Sequence, residues 1–297
     1  GTFEQPTWPD PGSPDPLTGK AARYELISFT GPVIGPRGLT VTAAAPSNAA
    51  TLARPYDNLG LPGAPLAGFM DTVGTYQGGF GPAIVRAAGG LPKGVYQQVT
   101  LLNPGLVTFW LGANDVLGFA TSGGASPSTP TASATFSALY TQALTTLRTA
   151  LPNAKIVVGN IPDVKAIPFF TTIGPKLKAN LASVFTAGGS VYYQKRGETG
   201  AGTGATKFNE TVAGPLVTLI GGRYATLVGT QTYAPWRAIG GPYASYATAQ
   251  ALGLDSTMPF GLHTKNPFPN AYVLDSLEQS MAAQSTGDFN ATIASVA

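Results

Sequence analysis

The sequence predicts an α/β protein with three α/β/α layers around a mainly parallel sheet, carrying a long loop-rich insertion. Three observations point there. Two short β-favouring runs, 106–111 (Leu-Val-Thr-Phe-Trp-Leu) and 155–160 (Lys-Ile-Val-Val-Gly-Asn), flank one apolar helical stripe. That stripe, Phe136, Leu139, Tyr140, Ala143, Leu144 and Leu147, recurs at helical spacing. A strand, a helix and a second strand in succession form a right-handed crossover, which makes the two strands parallel. A terminal helix, opened by Asp275 with Glu278 at its N3 position, completes the pattern.

Taken in order, residues 1–20 are dense in proline and read as an irregular arm. Residues 23–29 suit a strand, Pro32 and Pro36 bracket a break, and 37–43 alternate weakly. A turn-rich stretch spans 56–64, and short helices are expected over 80–88 and 93–102. Pro152 and Asn153 end the long helix. A helix is expected over 176–186, and the Gly/Thr-rich 187–206 reads as a mobile excursion. With 207–270 it forms an insertion over about 187–270. The aromatics there (Tyr233, Trp236, Tyr243, Tyr246, Phe260, Phe268) are either a cover for an apolar ligand or ordinary packing under loops. In the last helix, Leu274, Leu277, Met281, Phe289 and Ile293 mark a buried face. No repeat or linker divides the chain, so residues 1–297 read as one domain.

Both strands of the crossover end in polar punctuation: Gly112-Ala113-Asn114-Asp115 after the first, Asn160-Ile161-Pro162-Asp163 after the second. In open α/β sheets the carboxyl ends of the strands face the ligand. Asn114, Asp115 and Asp163 are therefore candidate site residues, although turns favour Asn and Asp anyway, and that reading is preferred for Asp163.

Composition narrows the classes. Only 10% of residues are charged, and the net charge of +3 arises from scattered cations without a basic run, which argues against nucleic-acid binding. Cysteine is absent and there is a single histidine, so thiol catalysis and a zinc cluster are excluded and no metal or other cofactor is expected. No Gly-x-Gly-x-x-Gly turn follows a strand, against dinucleotide binding. No apolar run approaches the ~18 residues of a membrane helix. The low-charge, hydroxyl-rich composition suits an exported, periplasmic or cell-surface protein.

The segments 58–64 (Asn-Leu-Gly-Leu-Pro-Gly-Ala) and 112–115 (Gly-Ala-Asn-Asp) resemble the second and third blocks of the SGNH, or GDSL-type, ester hydrolases. The runs 160–164 and 289–293 resemble a bacterial branch of the same family. The resemblance implies a flavodoxin-like fold and hydrolysis of a carboxylic or lipid ester through a serine acyl-enzyme. It places the oxyanion donors on Gly63 (backbone N–H) and Asn114 (side-chain amide), with Gly112 and Asp115 in support.

The family's Gly-Asp-Ser and Asp-x-x-His blocks are missing. Gly253-Leu254-Asp255-Ser256 has an extra residue and comes late, and His263 has Phe260 where the aspartate should stand. Ser256 and His263 are the remaining candidates for nucleophile and base, each read in preference as a loop residue. The expectation is an internal piece of such a hydrolase, inactive by itself, whose first and last strands lie outside residues 1–297. The competing expectation is a non-catalytic domain on a degenerate hydrolase fold that binds a glycan or lipid.

Overall fold

A computed structural model describes residues 3–7, 24–28, 33–36, 48–77, 81–125, 127–207 and 214–297. The fold is mixed α/β with small sheets. The expected arm over 1–20 and the segment 37–43 fall mostly or wholly outside these residues. The chain divides into two compact units, the first built mainly from Gly1–Leu111 and Ala138–Gly159, the second from Gly112–Ser137 and Asn160–Ser295.

In the first unit, β1 (Tyr24–Ser28) pairs antiparallel with β2 (Val33–Pro36). Here the expected break over 32–36 is, over its described residues, a short strand that ends at Pro36, a border position where a missing N–H does least harm. The crossover is as expected: β3 (Leu106–Phe109) lies parallel to β4 (Lys155–Val158), with Val107 opposite Ile156 and Phe109 opposite Val158. Between them in the chain runs the helix Ser133–Ala150. Its C-terminal end is tied down by Arg148, which donates to the carbonyls of Pro152 (3.2 Å) and Ala154 (2.8 Å).

One face of the β3–β4 pair is packed and the other is open. Phe109 is buried edge-on between Phe69 (5.0 Å between ring centroids) and Tyr140 (5.5 Å). On the opposite face Leu106 (57%), Trp110 (68%) and Val157 (55%) are exposed. Parallel strands are normally covered on both faces, so an apolar face left open is notable.

The second unit opens on a helix missing from the sequence reading, Asn114–Thr121. The stretch 187–206 holds an antiparallel hairpin, β5 (Val191–Tyr193) against β6 (Gly204–Thr206), in place of a wholly irregular excursion. β7 (Leu216–Val217) pairs antiparallel with β8 (Val273–Leu274). The expected helix over 176–186 is two, Ile173–Asn180 and Ala182–Thr186. Among the described residues the strands form four two-stranded sheets, of which only β3–β4 is parallel.

The aromatics of the insertion are packed together. Phe260 and Phe268 are fully buried with Leu177, Val191 and Val217, while Trp236 is buried with Ala249 and Leu254. Trp236 Nε1 donates to Asn266 Oδ1 (3.1 Å), and Tyr272 OH to the Pro235 carbonyl (3.1 Å), so buried polar tips are satisfied. Ordinary packing accounts for these residues.

The terminal helix, Ser276–Val296, begins with the expected capping box. Asp275 Oδ1 accepts from the amides of Leu277 (2.9 Å) and Glu278 (3.2 Å), and Glu278 Oε2 accepts from Asp275 N (2.7 Å). Leu274, Phe289 and Ile293 are buried as expected, but Leu277 is 57% exposed. The capping box turns Glu278 inward instead, so the first turn presents a carboxylate to the interior where the apolar stripe predicted leucine.

Glu278 is fully buried, and burial pushes its carboxyl up to about 7 against the opposing pull of hydrogen bonds from Asn270 Nδ2 (2.6 Å) and Asp275 N. A carboxyl with a raised folded-state value binds its proton more tightly folded than unfolded. Its contribution is therefore full below the unfolded-state value near 4.5 and is lost as pH rises through about 7. Between those values the melting temperature of the wild-type chain should fall with pH relative to Glu278→Gln, a difference on the order of 1–3 kcal/mol. Parallel melting curves for the two proteins across that range would refute the assignment.

Candidate functional site

Gly63 belongs to the first unit, and Gly112, Asn114, Asp115, Asp163, Ser256 and His263 to the second. Around Gly63 the local chemistry is a type II turn. Pro62 supplies the fixed φ at the second position, Gly63 the positive φ (+80°) at the third, and Ala64 N donates to the Leu61 carbonyl at 3.2 Å. Asn58 sets up the approach, its Oδ1 accepting from Gly60 N at 3.1 Å. Gly63 is exposed, and its N–H meets no hydrogen-bond partner among the described residues. Such a group is free to donate to an incoming oxygen.

The segment before this turn is held by a residue that no local motif singles out. Arg86 is buried, with a left-handed backbone (φ +53°). Its guanidinium donates to the carbonyls of Ala49 (3.0 Å), Leu52 (2.6 Å) and Arg54, and lies 4.3 Å from the centroid of the Tyr56 ring. Tyr56 OH donates to Asn48 Oδ1 (3.0 Å), and burial raises its hydroxyl above the ordinary range, opposed by the neighbouring Arg86 charge. Arg54 and Asp57 add a two-point ion pair at 3.0 and 2.9 Å. Arg86 thus gathers the turn 48–56 around one planar cation, a task that suits a guanidinium's forked donors.

In the segment 112–115, Gly112 is buried with φ +115°. A Cβ there would fall 2.8 Å from Ile161 Cδ1 and 2.8 Å from Phe136 Cε2, so both backbone angle and packing require glycine. Phe136 is fixed in turn by stacking on Phe289, with centroids 3.9 Å apart and an interplanar angle of 8°. Ala113 then starts the helix Asn114–Thr121, and its carbonyl accepts from Leu117 N at 2.8 Å. Asn114 is half-buried at the first helical position, and the amides of Asp115 and Val116 after it donate to the carbonyls of Gly112 (3.1 Å) and Ala113 (3.2 Å).

Asp115 is buried and structural in its visible contacts. Its Oδ1 accepts from Thr131 Oγ1 (2.9 Å) and its carbonyl from Thr131 N (3.0 Å), binding the loop before the long helix to the turn that carries Asn114. Asp163 is exposed and caps the single 3-10 turn Val164–Ala166, accepting from Lys165 N at 2.9 Å. The preferred turn reading describes it fully. At Ile161 the peptide is paired by a side chain: Ile161 N donates to Asn290 Oδ1 (2.8 Å) and Asn290 Nδ2 to the Ile161 carbonyl (3.0 Å).

Ser256 and His263 lie in a loop closed by Asp255 N donating to the Lys265 carbonyl at 2.8 Å. Ser256 N donates to Tyr246 OH (3.2 Å), and His263 Nδ1 accepts from Lys265 N (3.1 Å). No hydrogen bond joins the two among the described residues, and the ring nitrogen that would orient a base is engaged by its own turn. No group of three or more His, Cys, Asp or Glu able to hold a metal is found among the described residues. Nor is any helix among them long and apolar enough to cross a membrane. Comparison with protein-family models, with curated proteins and with solved structures finds no match.

Proposed function

We propose that the chain carries the oxyanion-binding part of an SGNH-type serine ester hydrolase built on a three-layer, flavodoxin-like fold. The Gly63 N–H and the Asn114 side-chain amide are the donors to the carbonyl oxygen of a carboxylic or lipid ester. Gly112 and Asp115 hold Asn114 in place, and Asp163 shapes a neighbouring turn. The reaction needs no cofactor, and the protein acts outside the cell or at its surface.

The observation that carries this reading is the locked turn at Gly112. A buried glycine with φ +115°, wedged against Ile161 and Phe136, dictates where the helix bearing Asn114 begins. Donors to a developing oxyanion act by being fixed before the reaction, and each is typically worth ~3–4 kcal/mol of transition-state stabilisation. An asparagine at the first position of a helix whose start is set by this turn, next to a buried aspartate bonded to Thr131, suits that requirement.

Wherever the coding sequence continues beyond residues 1 and 297, it is expected to supply Gly-Asp-Ser upstream and Asp-x-x-His downstream. The extended protein should then hydrolyse 4-nitrophenyl butyrate. Asn114→Ala should lower its kcat about 10²–10³-fold while leaving KM nearly unchanged. The 297 residues alone should give no turnover. Turnover by them that disappears in Ser256→Ala or His263→Ala would move the nucleophile and base into this chain. An extended sequence lacking both blocks would sink the hydrolase reading in favour of a glycan- or lipid-binding domain.

A further inference from the structure

The two side chains that close on Gly112 are held by neighbouring residues of the terminal helix. Phe136 Cε2 and Ile161 Cδ1 each lie 2.8 Å from where a Cβ on Gly112 would stand. Phe136 is stacked on Phe289, and both rings are fully buried. The helix that carries Phe136 is pinned at its first residue, where Ser133 Oγ donates to Asp288 Oδ2 at 2.7 Å. Ile161 is held by its backbone, through the two hydrogen bonds to the Asn290 amide at 2.8 and 3.0 Å. Asp288, Phe289 and Asn290 thus reach, within one helical turn, both walls of the turn from which the Asn114 helix starts.

The contact at Ile161 calls for a carboxamide. Ile161 is buried, so its N–H and its carbonyl both need a partner. An asparagine side chain ends in donors and an acceptor side by side and can answer both groups at once. A carboxylate would accept from the N–H but oppose the carbonyl, and an alanine would answer neither. With Phe136 fixed by its stack, the remaining wall at Gly112 is Ile161, and the Asn290 amide decides where that wall stands. The backbone of Gly112 follows the space left to it, and Asn114 follows Gly112.

We propose that Asn290 is a positioning residue for the Asn114 donor, acting through Ile161 and Gly112 without touching substrate. The inference rests on the reading of Asn114 as an oxyanion donor. It goes beyond that reading by assigning the rigidity of the donor to a side chain that reaches Ile161 across 129 positions of sequence.

The first test needs no reaction. In the 297-residue chain the side-chain amide signals of Asn114, assigned by their loss in Asn114→Ala, report its surroundings by NMR. Asn290→Ala should move them toward the values of an unstructured asparagine. Asn290→Asp, of nearly the same shape, serves where the alanine chain does not fold. As a carboxylate it cannot donate to the Ile161 carbonyl, so the Asn114 signals should be displaced from those of wild type at neutral pH. In acid the protonated side chain donates and accepts again, and the signals should return toward those of wild type at the same pH. The second test uses the extended enzyme and 4-nitrophenyl butyrate. Asn290→Ala should lower kcat about 10–10²-fold with KM nearly unchanged. It should lower kcat no further once Asn114 is alanine, because its effect runs through that side chain. Unmoved Asn114 signals in either folded variant would overturn the proposal, as would equal kcat losses with and without the Asn114 side chain. An extended protein without turnover would overturn the hydrolase reading alone, and the Asn114 signals would then decide the role of Asn290.

Discussion

Gly112→Ala should be among the most damaging single methyl additions this chain can suffer, with an expected loss of about 2–6 kcal/mol. Two independent penalties meet there. A residue with a Cβ at φ +115° pays backbone strain of about 1–3 kcal/mol. The same Cβ would sit 2.8 Å from both Ile161 and Phe136, an overpacking cost of similar size because Phe136 cannot retreat from its stack on Phe289. At about 2–4 °C for each kcal/mol, thermal melting should register a fall of many degrees. Gly63→Ala provides the comparison, since Gly63 has a positive φ but nothing within 4 Å of an added Cβ. It should cost only the strain. Equal losses at the two glycines would show that the packing around Gly112 yields, and with it the argument that the Asn114 turn is fixed.

Arg86→Ala should cost about 3–5 kcal/mol and release the turn 48–56. Removing the guanidinium strands the carbonyls of Ala49, Leu52 and Arg54 and empties the space against Tyr56. Arg86→Lys should recover only part of the loss, because an ammonium group cannot reach three carbonyls and cover a ring in one plane. Limited proteolysis should cut the alanine variant within 48–58 faster than the parent chain. An alanine variant as stable and as resistant as wild type would remove Arg86 from the support of the Gly63 turn.

The parts of this fold that could be read in the sequence are those written in local periodicity. The stripe from Phe136 to Leu147 specifies a helix, and two β-branched runs around it specify a parallel pair. The capping box at Asp275 and the Pro-Gly of the turn at Gly63 are equally local signals. What escaped depends on partners far along the chain. The helix Asn114–Thr121 hid behind residues that favour turns, since Asn and Asp also suit a helix start. The β5–β6 hairpin hid in a glycine-rich stretch, where strand pairing depends on what the backbone meets and little on side chains. Arg86 was invisible because its partners lie more than thirty residues away: the bonds to Ala49, Leu52 and Arg54 span 37, 34 and 32 positions. Leu277 misled because an apolar stripe drawn to a helix's first turn ignores the inward carboxylate of the cap.

The amide of Asn290 has a bearing on motion. By closing both hydrogen bonds of the Ile161 peptide, it takes the place of a neighbouring strand with a single side chain. A slide of the terminal helix by one turn, about 5.4 Å, would bring Thr286 or Ala294 opposite that peptide. Neither can both donate and accept in the spacing a peptide demands. The helix is therefore indexed like a key with one cut: it holds its register or lets go of it, with no stable half-turned position between.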